Sequence, residues 1–156
     1  MPCAASASPS TRSLAKARLI DGFWQQRVIA EMNDYQFKVA RLEGEFIWHS
    51  HADTDETFIV LEGELRIDFG EGDALTLCAG QFGMVPKGVV EHKPCAAGEV
   101  KLLLIEPRGV VNTGDATSDR TVLERHLDLT RVRFRPGLRP KHAACASPRP
   151  CCIARE

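Results

Sequence analysis

At 156 residues, 44% apolar and 26% charged, the chain has the composition of one ordinary globular domain. Its net charge of −1 is divided into +3 over residues 1–20, −10 over 21–119 and +6 over 120–156, and an acidic body between basic ends excludes a nucleic-acid-binding body, whose footprint is a clustered basic face. No run reaches the roughly 18 apolar residues of a membrane span, none near the start makes a secretory signal, and six cysteines without a Cys-x-x-Cys pair form neither a disulfide framework nor a zinc knuckle, so a cytoplasmic setting without a membrane partner is expected.

Residues 1–13 are rich in Ala, Ser and Pro and read as a mobile leader, because they bury too little apolar surface to offset their ordering entropy. Organelle import through this leader stays open. Ser13 followed by Leu14, Ala15, Ala17, Leu19 and Ile20 predicts a short helix capped by Ser13 and ended at Asp21-Gly22. From Gln26 the period becomes that of strands. Nine short runs follow, at 27–32, 36–43, 45–51, 56–61, 64–69, 74–78, 81–85, 91–95 and 100–105, with turn residues between them. No connection is long enough for a crossover helix, so a parallel sheet is excluded and an antiparallel sandwich or barrel is expected.

The run 45–51 carries His49 and His51 at i and i+2, which alternation places on one strand face. Glu56 opens the next run after a polar turn, and a hairpin there returns its carboxylate towards the two imidazoles. Two His and a carboxylate form a ligand set for a divalent transition metal. Further on, Gly80, Pro86 and Gly88 punctuate a second hairpin that delivers His92. The competing reading of these residues is a metal-free, hydrogen-bonded polar cluster. Phe58, Val60, Leu65, Ile67, Leu75, Leu77, Leu102 and Leu104 read as barrel filling, Trp48 has the parity to face away from His49, and Lys87 and Arg108 read as solvated loop charges.

Here the chain resembles the cupin superfamily. Gly44, His49, His51, Glu56 and Gly63 match the family's first motif, and Gly80, Pro86, Gly88 and His92 its second. The resemblance covers about residues 14–115, and the wording around Glu-Phe-Ile-Trp-His-Ser-His and Ile-Glu-Pro-Arg-Gly-Val-Val-Asn-Thr-Gly is similar to the small mannose-6-phosphate isomerase-like cupins. It implies a jelly-roll barrel over residues 14–118. It also implies one divalent metal, Fe, Mn, Ni or Zn, held by His49, His51, Glu56 and His92, with two further positions on an octahedral ion left for other ligands. Two departures stand out: residues 89–91 make a spacer one longer than the family's before His92, and Ala96 stands where the second motif often has Asn. A bulge or enlarged turn before His92 is expected, since a one-residue slip reverses a side chain's face.

Residues 119–156 are expected to be a basic, Pro- and Cys-containing tail, mostly disordered, with one short amphipathic helix over 122–129. His142, Cys145, Cys151 and Cys152 fit no standard metal-site spacing. Three functions are compatible with these features: a metal-dependent enzyme such as an isomerase or dioxygenase, a non-catalytic binding module for a sugar or organic acid, and a dimerisation unit. The partners expected are a small-molecule ligand and a second copy of the chain in a homodimer; the catalytic residues beyond the ligands are not identified.

Overall fold

Alternating side chains become seven antiparallel strands in a computed structural model of the chain, which describes residues 12–88 and 90–127. After a short helix, α1 (Ser13–Ala17), come β1 (Arg27–Met32), β2 (Tyr35–Glu45), β3 (Glu56–Glu62), β4 (Glu64–Phe69), β5 (Ala74–Cys78), β6 (Phe82–Val85) and β7 (His92–Pro107). Hydrogen bonding runs β1-β2-β7-β3-β6, with β4 joining β7 to β5. The long β7 lies against β4 along His92–Cys95 and then passes between β2 and β3. One strand thereby belongs to both halves of a jelly-roll barrel. The turn expected at Gly98 is absent, and the runs 91–95 and 100–105 are one strand. β7 itself makes the adjustment: the two steps from Leu42 to Gly44 on β2 match four from Ala96 to Val100, so β7 bulges about Gly98.

Inward positions form one apolar cluster. Leu65 and Ile67 on β4 are wholly buried between exposed Glu64 and Arg66, a burial that stabilises by about 1.5–3 kcal/mol per side chain. Phe58 and Val60 on β3, and Val100, Leu102 and Leu104 on β7, continue the same filling. Outside the barrel, Ala17 and Ile20 cover Val39 and Leu103. Ser13 is not the cap: Arg12 holds the N-cap position without a side-chain hydrogen bond, and Ser13 is the first helical residue.

The helix expected over 122–129 is also corrected for its described part. Residues 122–127 are extended: the Val28 N–H donates to the Arg125 carbonyl at 2.9 Å, the Leu127 N–H to the Val28 carbonyl at 3.0 Å, and Val28 bridges His126 in parallel. Edge strand β1 offers unpaired backbone groups, and pairing with them outweighs the weak helical period. Residues 1–11 and 128–156, with most of the leader and tail, lie outside the described residues. Among the described residues, no helix is long and apolar enough to cross a membrane.

Candidate metal centre

Four side chains meet at one end of the barrel. The ligand-type atoms of His49, His51, Glu56 and His92 all lie within 4.8 Å of one another, and all four residues are buried. Glu56 opens β3 and His92 opens β7, whereas His49 and His51 lie in the irregular segment before β3. The run 45–51 is therefore not the continuous strand expected beyond Glu45. Gly44 pairs with Ala96 and Glu45 with Cys95, the Phe46 N–H reaches the Pro94 carbonyl at 2.9 Å, and His49 bridges His92. Three residue steps from Phe46 to His49 thus match two from Pro94 to His92. This bulge turns both Phe46 and His49 inward, and their rings meet edge to face at 5.4 Å.

The bulge or enlarged turn expected before His92 does not fall within β7. From His92 to Cys95 the pairing with β4 is unbroken. The extra spacer residue lies in the loop ahead of it, where the Gly88 N–H donates to the His51 carbonyl at 2.8 Å with Gly88 at φ 109°.

Hydrogen bonding fixes what the imidazoles present. His49 Nδ1 lies 3.0 Å from the Ile47 carbonyl and His92 Nδ1 3.3 Å from the Val90 carbonyl. A carbonyl only accepts, so each Nδ1 carries a proton and Nε2 is the ring nitrogen that faces inward. His92 Nε2 is 3.0 Å from Glu56 Oε2. His51 Nε2 is 3.2 Å and His49 Nε2 3.8 Å from the same oxygen, and neither makes a hydrogen bond. Lone pairs facing a buried carboxylate repel unless a proton or a cation lies among them. The donor set fits a divalent transition metal, with backbone carbonyls orienting two rings from behind. Burial alone would raise the Glu56 carboxyl; where a proton lies on the facing imidazole nitrogens, their hydrogen bonds outweigh burial and hold it well below its ordinary range. Burial likewise opposes protonation of His51, yet Glu56 raises it.

A second buried pair escaped the sequence reading. Thr57 pairs with Ile105 and Gln36 with Glu106, so Glu56, Glu106 and Gln36 form one inward row across β3, β7 and β2. Lys38 Nζ approaches Glu106 Oε1 at 2.7 Å and donates to the Val110 carbonyl at 3.0 Å, with both side chains at most 3% exposed. The signal was in the parity: Gln36 and Lys38 alternate with the register of Ala40 and Leu42, and Glu106 with that of Leu102 and Leu104. Burial, then repulsion from Glu56, push the Glu106 carboxyl up to about 7, with Lys38 opposing.

Elsewhere, Trp48 is 45% exposed with Lys93 Nζ 5.7 Å from its ring centre, consistent with its outward parity. Arg108 pairs with Glu31 at 3.1 Å. Glu31, Glu124 and His126 also group together but are exposed, and Gln36 Nε2 donates to both carboxylates, as in a solvated surface network.

The segment after β7 backs the site. The Asp115 N–H donates to the Ser50 carbonyl at 3.0 Å, and Gly114 sits at φ 53° against it. A β-carbon on Gly114 would collide with the Ser50 carbonyl oxygen and come within 3.2 Å of His51 Nδ1. Gly114→Ala should therefore cost roughly 3 kcal/mol or more and weaken metal uptake by displacing His51. Denaturant unfolding and metal titration of this variant check both effects; unchanged values would show that the segment yields freely.

A family profile described as Cupin domain matches residues 37–107. A cupin-2 domain containing protein from Shewanella frigidimarina is 55% identical, with 63% of this chain and 94% of that one covered and a TM-score of 0.60. A protein from Neisseria meningitidis is 29% identical, with 64% and 99% covered and a TM-score of 0.58. The uncharacterised protein YdbB of Bacillus subtilis is 48% identical over 64 residues, 41% of this chain and 57% of that protein, so the match spans little more than half of its length.

Proposed function

Because the chain belongs to the cupin superfamily and gathers three imidazoles and a carboxylate inside its barrel, we propose that it binds one divalent transition metal through His49, His51, Glu56 and His92, and with it a small ligand. The observation that carries this reading is the pair of buried, hydrogen-bond-free nitrogens, His49 Nε2 and His51 Nε2, facing Glu56. A buried acceptor without a partner costs about 1–3 kcal/mol, and a cation repays that cost at both nitrogens. Fe, Mn, Ni and Zn all suit imidazole and carboxylate donors. A bound ion of this kind supplies Lewis acidity to an oxygen ligand.

The protein's own groups then divide the work. The carbonyls of Ile47 and Val90 keep His49 and His92 in the ligating tautomer. Lys38 and Glu106 place a further charged pair behind Glu56, so the site has a titratable group beyond its ligands. Whether the ligand is transformed or only bound depends on that group. A Lewis acid with a nearby proton acceptor supports isomerase chemistry, and a site that only holds its ligand supports a binding module.

Elemental analysis of protein purified without a metal-affinity tag tests the proposal. About one equivalent of Fe, Mn, Ni or Zn is expected, or uptake of one on reconstitution. Protein that contains none and takes up none would remove the metal from the reading and leave a polar cluster.

A further inference from the structure

Register places one row of side chains across every strand of the β1-β2-β7-β3-β6 path. Ala30 pairs with Phe37, Phe37 with Ile105, Ile105 with Thr57 and Thr57 with Met84. Alternation turns this row outward, because the chain neighbours Lys38, Leu104, Phe58 and Val85 are buried in the barrel. Met32 and Tyr35 extend the outward face on one side of the row, and Ile59 and Phe82 on the other. None of these outward side chains is charged. In the row of Ile59, α1 covers Val39 and Leu103 and closes that end of the face.

The rest of the face is open in a single copy. Met32 and Tyr35 are exposed, Phe82 is 68% and Met84 59% exposed, and Phe37, Ile59 and Ile105 are half-buried. With about 4.8 Å between strands and about 6.8 Å between rows, these positions cover roughly 300 Å² in plan. An apolar patch of a few hundred Å² is commonly functional. Side-chain relief and a polar margin bring such a face towards the ~800 Å² that each partner buries in a standard interface. The strand β6 points the same way. It is an edge strand, bonded to β3 alone among the described strands, and edge strands that stay in water ordinarily carry charge or Pro. Phe82-Gly83-Met84-Val85 has neither.

Charge decides what covers the face. Residues 21–119 carry −10, so two such bodies repel wherever their acidic surfaces meet. Repulsion is least here, because the rows are uncharged and the adjoining margin is neutralised within the chain. Arg18 pairs with Glu62 at 2.5 Å, Glu62 with Lys101 at 2.5 Å, Lys101 with Glu99 at 3.0 Å and Glu99 with Arg41 at 2.9 Å. A basic partner, the match for an acidic body, would find no carboxylate on these rows. Apolar, charge-poor cores are most marked between identical subunits. One sheet face packs on another at about 10 Å with its strands nearly aligned, so the same face turned through half a rotation supplies its own complement.

We infer that a second copy of the chain packs this same face against the first about a two-fold axis, making the protein a homodimer through the outer side of the β1-β2-β7-β3-β6 sheet.

Sedimentation equilibrium of the full chain at micromolar concentrations should give twice the 17.2 kDa of one copy. Met84→Glu and, separately, Phe82→Lys should each weaken association at least about thirtyfold, the loss expected when a buried anchor of an interface is removed. Both side chains are mostly exposed in a single copy, so the circular dichroism and melting temperature of each dilute variant should match those of the dilute wild type. Leu123→Glu, at an exposed residue outside these rows, should leave the dimer intact and so exclude indiscriminate apolar association. A wild type that is monomeric at every concentration would overturn the inference and leave the face to a different protein or to the chain's own terminal residues. A dimer that survives both charged substitutions, or one that Leu123→Glu dissociates, would overturn it too, because the contact would then lie elsewhere.

Discussion

Replacing His49 and His51 together by alanine should abolish metal uptake and leave the barrel folded. Both rings are buried, at 4% and 7% exposure, but they belong to an irregular segment that meets β7 through the Phe46 N–H on the Pro94 carbonyl and the bridge from His49 to His92. The apolar cluster of Phe58, Val60, Leu65, Ile67, Leu102 and Leu104 does not include them. Removing two of four donors leaves one imidazole and one carboxylate, too few to hold a transition ion against water. The wild type should melt at a higher temperature with metal than without it, because an ion that binds only the folded state stabilises it by about 4 kcal/mol at a thousand times its dissociation constant. The double variant should show no such rise, while its β-rich circular dichroism matches that of the metal-free wild type. A metal-dependent rise that persists in the variant would place the ion elsewhere. Loss of the fold without metal would mean that the imidazoles are part of the core after all.

The four donors were readable because each sits at a punctuated position. His49 and His51 are two residues apart, Glu56 opens a strand after a polar turn, and His92 follows the Pro86–Gly88 turn. The strands Arg27–Met32, Glu64–Phe69 and Ala74–Cys78 were readable to the residue, since their side chains alternate and turn residues bound them. What stayed hidden depends on partners distant in sequence. The bulge at residues 46–49 exists only against Pro94 and His92, and β7 runs through Gly98 by bulging against β2, four steps from Ala96 to Val100 facing two from Gly44 to Leu42. Residues 122–127 are extended because edge strand β1 lies beside them, which no local pattern announces. Gln36, Lys38 and Glu106 were passed over for a different reason. Each has the parity of its apolar neighbours, but a polar residue at an inward position reads as a break in the pattern until its partner on another strand is known.

That hidden pair yields the second large effect. Lys38→Met should destabilise the metal-free protein by about 3–5 kcal/mol at pH 8, because it leaves the Glu106 carboxylate buried without its cation. At pH 5.5 the loss should be much smaller. The Glu106 carboxyl already titrates near 7 in the folded wild type against an ordinary 4.5, raised by burial and by Glu56. A carboxyl with a raised folded value binds more protons folded than unfolded between those two pH values. Stability therefore falls as pH climbs from about 4.5 to about 7, and the full cost is present above that window. Without the ammonium the folded value rises further and the window extends upwards, so the variant should keep losing stability between pH 7 and 8, where the wild type has levelled off. Below the window Glu106 is neutral in both proteins, and the variant has also shed a buried ammonium whose partner is uncharged there. Adding Glu106→Leu removes the stranded carboxylate, and the double variant should recover most of the loss, as buried ion pairs replaced by apolar groups of similar size commonly do. Urea unfolding of the wild type and both variants at the two pH values measures all of this. An equal loss at pH 5.5 and 8, with no recovery in the double variant, would show that Lys38 contributes through the packing of its stem and not through its charge.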